Sequence, residues 1–427
     1  AALRRFGAVA EHLGVATLAG VATAAIRDAE DGPAFRDAVE AETGIRLTVA
    51  SGDDEARLAA QGVLFGDPSA HGVVADLGGA SLELGRLDRG RVAGGISLPL
   101  GPLRLARVTD VDAHVAGHLA RAPGRYARAA RRLYLVGGAW RALARADIER
   151  RGYPLKVLHE YALDAVGARA LATWAARQQP ADLAAMDGVS ENRAPGIPLT
   201  ARLLSGLLRA LGPDEVVISA FGLREGVCLE AMPPARAAED PLMAAVTAIE
   251  AEGARIPGFG AELADWVLRV LTPLDAAEAR LMRASAHLAD IAWRSHPDHR
   301  VAASWELATR ATLTGIGHPG RVHLGLALAT RYRRSRKVEE EIPALSLLDA
   351  AGRERAVALG LALRLGCSLA ACAPGVLGRV RPVRAEGALG LEIDAEAAEM
   401  AGEDSVKRLG HLARHLGLAP LPVAIRP

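Results

Sequence analysis

The octapeptide Asp76-Leu-Gly-Gly-Ala-Ser-Leu-Glu83 carries residue types suited to holding a phosphate beside a divalent metal ion. A strand that ends at Asp76 and turns through Gly78-Gly79 leaves backbone N–H groups free to face an anion, because glycine admits tight turns and shields nothing. Ser81 adds a hydroxyl donor, and Asp76 and Glu83 are hard oxygen ligands for Mg²⁺, directly or through its waters. An ordinary Gly-Gly hairpin with a surface glutamate accounts for the same eight residues, so a second signal is needed. Leu133-Tyr-Leu-Val-Gly-Gly-Ala-Trp-Arg-Ala142 supplies it. There an apolar strand breaks at Gly137-Gly138 into a helix whose N-terminus faces a ligand. Two glycine breaks of this kind imply a cleft.

Ser51-Gly-Asp-Asp-Glu-Ala-Arg57 puts three carboxylates at a helix start. Capping and the helix dipole explain Asp53 and Asp54. By residue type alone Glu55 is another solvated first-turn glutamate.

The elements that must position these groups alternate. Helices are predicted over 2–13, 34–43 and 55–64, and strands over 17–23 and 46–50. Three apolar runs, 73–77, 81–87 and 91–98, separated by Gly78-Gly79 and Asp88-Arg89-Gly90, read as a meander. A helix from Pro102, strand 133–136, helix from Ala139, strand 215–219 and helix from Leu223 complete a βββαβαβα unit. The segment before it reads as the end of a similar unit lacking its opening meander. Met232 to Pro241 has the prolines of a linker, and beyond it helical patterns dominate, with two alternating stretches at 376–385 and 388–393.

With 427 residues, half of them apolar, the chain is long enough for two or three domains. A formal net charge of +1 gives no global basic field, which argues against a nucleic-acid packager. Arginine supplies nearly all the positive charge, and its abundance alongside alanine and glycine reads as compositional bias. The basic run Arg331-Tyr-Arg-Arg-Ser-Arg-Lys337 is by default a solvated helix end, with guidance of a long anionic chain as the alternative. Cys228, Cys367 and Cys372 match neither a zinc knuckle nor a redox pair and read as buried free thiols in a reducing compartment. No segment reads as a membrane span or leader, so the expectation is a soluble, cytoplasmic protein.

Taken together, Ala22-Thr-Ala-Ala-Ile-Arg27, Ser51 to Ala56, Asp76 to Glu83, Ser97-Leu-Pro-Leu-Gly101, Val136-Gly-Gly138 and Ser219-Ala-Phe-Gly-Leu-Arg-Glu-Gly226 resemble the exopolyphosphatase and guanosine pentaphosphate phosphohydrolase family in order and spacing. The likeness covers residues 1–232 and, more loosely, the helical region after them. It implies an α/β, two-lobed fold like that of actin, Hsp70 and sugar kinases (ribonuclease H-like), plus a mainly α-helical C-terminal domain. The implied domains are 1–52, the remnant of a truncated first lobe, 53–232, the second lobe, and 233–427, a degenerate HD-like domain. The implied activity is release of terminal phosphate from inorganic polyphosphate, and also from guanosine pentaphosphate.

Carried over residue by residue, the resemblance makes Glu55 the carboxylate that orients and deprotonates the attacking water. Asp76 and Glu83 become the Mg²⁺ ligands, with a monovalent cation such as K⁺ left open as a further activator. Gly78, Gly79, Ala80 and Ser81 wrap the phosphate, Arg27 contacts a phosphate of the chain, and Gly137 and Gly138 line the far side. A homodimer is expected, with neither nucleic acid nor membrane as partner.

The family's third hairpin glycine is Ala80 here, and its Asp-Gly-Ser-Asn-Ser loop is absent. Ala289 precedes Asp290 where a metal-binding HD domain has histidine. His287, His296, His299, His318 and His323 lack paired metal-ligand spacing, which favours structural roles. A non-catalytic polyphosphate or alarmone sensor and an ATP-dependent kinase of the same superfamily stay open as alternatives.

Overall fold

A computed structural model describes residues 1–122, 124–333 and 342–427. Arg334, Ser335, Arg336 and Lys337 of the basic run lie outside the described residues. The chain divides into two compact units, Ala1–Ala237 and Ala238–Pro427.

The first unit opens with α1 (Ala2–His12), β1 (Gly20–Ala22), α2 (Ala24–Arg27), α3 (Gly32–Thr43) and β2 (Leu47–Val49). Strands β1 and β2 pair in parallel as a small sheet of their own. Helix α4 (Gly52–Gly66) leads into the meander β3 (Gly72–Leu77), β4 (Leu82–Asp88) and β5 (Arg91–Leu98). Short helices α5 (Pro102–Leu105), α6 (Val111–Leu119) and α7 (Arg125–Ala129) precede β6 (Arg132–Val136) and α8 (Gly138–Arg150). Then come β7 (Tyr161–Asp164), α9 (Ala165–Ala175), α10 (Pro180–Ala184), α11 (Ile197–Leu211), β8 (Glu215–Ser219), α12 (Leu223–Ala231) and the short α13 (Pro234–Ala237).

The six-stranded sheet runs in the order β5-β4-β3-β6-β8-β7. Strand β3 pairs antiparallel with β4 and parallel with β6, so it sits between the meander and the crossover half. That arrangement is the α/β lobe expected from the sequence, enlarged by the antiparallel edge strand β7, which the apolar patterning did not reveal. Helix α4 lies close on β4 and β5 because Gly85 and Gly95 leave no side chain under it: a Cβ on Gly85 would come within 2.8 Å of the Ala56 carbonyl oxygen, and one on Gly95 within 2.6 Å of the Ala56 methyl. Leu133, Leu135, Trp140, Tyr161, Leu203 and Leu207 are among the side chains of the main core beneath the sheet. Full burial of such aliphatic side chains contributes about 1.5–3 kcal/mol each.

The second unit is mainly helical: α14 (Pro241–Gly253), α15 (Phe259–Leu271), α16 (Ala276–His287), α17 (Arg300–Arg310), α18 (His318–Tyr332) and α19 (Ala350–Ala370). The hairpin β9 (Val380–Ala385) and β10 (Ala388–Asp394) follows, then α20 (Glu403–His415) and the short strands β11 (Ala419–Pro420) and β12 (Ala424–Arg426), both parallel to β10. Helix α18 is buried on nearly every face from Arg321 to Thr330, the mark of a central helix. Trp266 anchors the hairpin by donating its indole N–H to the Val380 carbonyl at 2.8 Å.

Candidate active site

Helix α4 starts at Gly52, three residues before the predicted 55, because Ser51 caps it. Ser51 Oγ accepts the Asp54 amide at 3.1 Å while Asp54 Oδ2 accepts the Ser51 amide at 3.2 Å, a reciprocal capping box. Gly52 lets the helix start press on β5, since a Cβ there would lie 2.4 Å from that of Ser97. The cap and this contact together aim Glu55, which is 6% exposed, back into the unit.

Arg27, at the end of α2, meets it. Its Nη1 donates to Glu55 Oε1 and, at 2.8 Å, to the Ala50 carbonyl. Its Nε lies 3.3 Å from Asp28 Oδ1, and Arg104 Nη2 holds the other oxygen of Asp28 at 3.0 Å. Burial works against the charge of Arg27, but the bonds and charges of Glu55 and Asp28 outweigh it and raise the guanidinium pKa. Glu55 Oε2 has no partner among the described residues.

Asp76 and Glu83 are direct register partners on β3 and β4, and Glu83 is in turn the partner of Ser97 on β5. Ser97 Oγ donates to Glu83 Oε1 at 2.9 Å. Desolvation first, then the charges of Glu83 and Glu55, push Asp76 up to about 8; Arg141 pulls the other way. Desolvation also raises Glu83, against the bonds from Ser81 and Ser97. Three carboxylates on one face, two of them reluctant to ionise, form a donor set short of positive charge. A hard dication fits that set: Mg²⁺ commonly takes one or two carboxylates and completes its shell with water and phosphate oxygens. Among the described residues no group of three or more His, Cys, Asp or Glu is placed to hold a metal ion, so Asp76 and Glu83 would share the ion with water and phosphate oxygens and Glu55 stays outside its shell.

The turn between β3 and β4 closes with Gly78 N donating to Ser81 O at 3.0 Å. The Gly79 carbonyl accepts Leu103 N at 3.0 Å and the Ala80 carbonyl accepts Gly101 N at 3.2 Å. A trans peptide points its N–H opposite its C=O, so the amides of Ala80 and Ser81 face away from the α5 end, and neither donates to a described acceptor. Neither Gly78 nor Gly79 adopts a left-handed φ, contrary to the expectation that the turn needs glycine for its conformation. A Cβ at Gly78 would make only ordinary contacts, 3.6 Å from Ser81 O, 3.8 Å from Ser81 Oγ and 3.9 Å from Glu83 Oε2. Ala80 also lies outside the left-handed region, so its methyl group imposes no strain.

Gly137 and Gly138 join the same end of the sheet. Gly137 has φ +120°, and a Cβ on it would lie 2.6 Å from Leu77 O and 3.3 Å from Asp76 Oδ1. Here conformation and close approach both require glycine. A Cβ on Gly138 would meet the Arg193 guanidinium at 3.1–3.4 Å. Every residue singled out in the sequence for this site is thus brought to one end of β3, β4 and β6.

Three further groups join them. Ser97 was visible within a motif but became a partner of Glu83 only through strand register. Arg141 stands one turn into α8; burial, then Arg145 and Arg224, lower its pKa, a sign of crowded positive charge. Arg193 comes from the stretch between α10 and α11, where no sequence pattern marked it.

Residues 1–235 match the Ppx/GppA phosphatase family, and residues 242–419 match the exopolyphosphatase C-terminal family. The chain belongs to the Ppx/GppA phosphatase family. Membership makes it a phosphoanhydride hydrolase and agrees with the α/β lobe and helical unit. Exopolyphosphatase 1 of Mycobacterium tuberculosis is 31% identical over 255 residues, spanning 52% of this chain and 70% of that protein. Retrograde regulation protein 2 of Saccharomyces cerevisiae is 24% identical over 369 residues, spanning 78% of this chain and 62% of that protein. Among solved structures, an exopolyphosphatase from Cytophaga hutchinsonii is similar with TM-score 0.48 and 20% identity, covering 54% of this chain and 79% of that one. The Aquifex aeolicus Ppx/GppA enzyme gives TM-score 0.47 and 22% identity, covering 53% and 79%.

In the second unit of this Ppx/GppA phosphatase His287, His318 and His323 are tied into the fold. His287 Nδ1 pairs with Glu250 Oε2 at 2.5 Å, and Glu250 Oε1 accepts the amides of Gly258 and Gly260 at 3.1 and 2.7 Å. His318 and His323 are buried, and burial drives His323 down to about 4. His296 and His299 stay at the surface. Among the described residues no helix is long and apolar enough to cross a membrane.

Proposed function

We propose that this protein is an exopolyphosphatase of the cytoplasm that releases terminal phosphate from inorganic polyphosphate, with guanosine pentaphosphate as a second substrate. The observation that carries the proposal is the convergence of Asp76, Glu83, Ser81 and the open amides of the 80–81 turn on the Glu55–Arg27 pair. In this reading Ala80 N–H and Ser81 N–H bind the terminal phosphoryl oxygens, while the Ser81 hydroxyl holds Glu83. Asp76 and Glu83 would hold Mg²⁺, which when bound neutralises charge on the transferred group. Arg27 fixes the Glu55 carboxylate by Oε1, leaving Oε2 to accept the proton of a water placed in line with the scissile bond. Such a positioned base typically contributes about 10²–10⁴-fold. Gly137 and Gly138 leave room for the chain on the β6 side, where Arg141 and Arg193 offer positive charge.

Phosphate release from polyphosphate and from guanosine pentaphosphate, each with and without Mg²⁺, tests the proposal. The expected result is Mg²⁺-dependent release without any acceptor, greater from polyphosphate. Glu55→Gln should lower kcat by about 10²-fold or more with little change in substrate affinity. ADP formation with a phosphorylated acceptor would instead identify a kinase, and binding without release a sensor. Decay at Ala80 gives no support to a sensor, since the alanine sits there unstrained. Sedimentation of the native protein tests the homodimer proposed with this activity.

A further inference from the structure

Cys367 lies near the end of α19, and the chain beyond that helix turns back sharply. Ala371 and Cys372 take φ of +51° and +60°, two consecutive residues with side chains in the left-handed region. This costly turn sets the Cys372 thiol against Cys367, to which it donates a hydrogen bond. Arg331 on α18 adjoins both sulfurs: its Nη2 is 3.3 Å from Cys372 Sγ, it bonds Cys367, and it reaches Asp290 Oδ1 at 3.4 Å. The two cysteines are 7% and 3% exposed. Cys367 nevertheless lines a cavity of about 400 Å³, together with Arg300, Arg331, Arg364, Ser368 and Arg408. A small neutral oxidant can enter that space.

We propose that Cys367 and Cys372 form a peroxide-reactive thiol pair, Cys367 attacking and Cys372 resolving. Thiolate is the nucleophile in such chemistry, and reactive thiols sit in electropositive, reachable surroundings. The Cys372 hydrogen bond and then the Arg331 charge outweigh burial and bring the Cys367 thiol below its ordinary range, while the same bond pushes Cys372 up. The Cys367 sulfur attacks one oxygen of hydrogen peroxide; the O–O bond breaks, hydroxide leaves and takes up the thiol proton as water, and a sulfenic acid remains. The Cys372 sulfur then attacks the Cys367 sulfur. The sulfenic hydroxyl departs with the Cys372 proton as a second water, and a disulfide closes. Two thiols have lost two electrons and one peroxide has gained them.

The five-residue spacing alone suggests no redox pair. The left-handed turn is what brings the sulfurs together. Trypsin places both cysteines in one peptide, Leu365 to Arg379, so mass spectrometry of the whole reduced chain reads the outcome directly. After brief peroxide treatment and alkylation, that peptide should be lighter by two hydrogens and carry no alkyl group, while the exposed Cys228 remains alkylated. Cys367 should be consumed at least about tenfold faster than Cys228. Cys372→Ser should leave a sulfenic acid at Cys367 that dimedone captures, and Cys367→Ser should give no adduct at Cys372. The proposal is overturned if Cys367 stays alkylatable when Cys228 is oxidised, if it links to Cys228, or if dimedone marks Cys372 instead. The wild-type measurement decides even where a variant does not fold.

Discussion

Asp76 faces Glu83 across one antiparallel rung with Glu55 nearby, and its proton is the group most out of its ordinary range in the site. An unfolded aspartate titrates near about 3.9, whereas burial and the two neighbouring carboxylates bring Asp76 to about 8. Between these values the folded chain holds a proton that the unfolded chain has lost, so metal-free stability falls as pH rises from about 4 to about 8. Each pKa unit corresponds to about 1.4 kcal/mol, enough to see in urea melts. Glu83, raised by burial, acts with the same sign. Asp76→Asn should flatten this slope and exceed the wild type in stability at pH 8 in a chelator. Mg²⁺ should then stabilise the wild type and leave the variant unmoved. Parallel pH slopes for the two proteins would remove Asp76 from this account. The pair of Arg27 and Glu55 belongs to the same scale: two residues whose types say little became partners because the end of α2 meets the start of α4.

The glycines of the site separate into those that serve the chain and those that serve the ligand, a distinction that belongs to the turn and not to the residue. Gly137→Ala puts a Cβ 2.6 Å from Leu77 O at φ +120°. It should cost about 1–3 kcal/mol in strain alone, seen as a lower urea midpoint. Gly78→Ala meets only ordinary contacts, so its midpoint should hardly move while phosphate release falls at least about tenfold, because the methyl group stands beside Ser81 and Glu83 in the proposed phosphate site. Full activity in Gly78→Ala would show that the phosphate lies elsewhere. The meander, β6, β8 and the helix α8 after the Gly137-Gly138 break were legible in the sequence because their apolar runs are bounded by clear turn residues. Strand β5 matches its predicted span, and α4 begins at its cap. Strand β7 escaped because Tyr161–Asp164 is four residues long at an edge, and α11 because its prolines and preceding turn obscured a strongly amphipathic run. Arg193 stayed invisible for a related reason: its place beside Gly138 is set by the packing of that unread stretch.

At the scale of the whole molecule, each unit has cores of its own: the clusters of the first contain residues up to Leu229, and those of the second begin at Leu242. Residues 238–427 should therefore fold cooperatively when expressed alone, and their tryptophans Trp266, Trp293 and Trp305 report on them without interference. The units should also answer to pH with opposite signs. Burial by itself would raise Glu250, but the bond to His287 and the amides of Gly260 and Gly258 prevail and hold it below the usual carboxylate range. A depressed pKa adds stability above the unfolded value, about 4.3, and that contribution is lost as pH falls through the folded one. The first unit, relieved of charge at Asp76, gains stability earlier in the descent, between about pH 8 and about pH 4. Glu250→Gln should destabilise the isolated second unit by about 2 kcal/mol at pH 7, and its urea midpoint should fall less steeply than the wild type's between pH 5 and pH 3. If the variant and wild-type midpoints fall in parallel through that range, the Glu250 carboxylate is not what holds α14, α15 and α16 together.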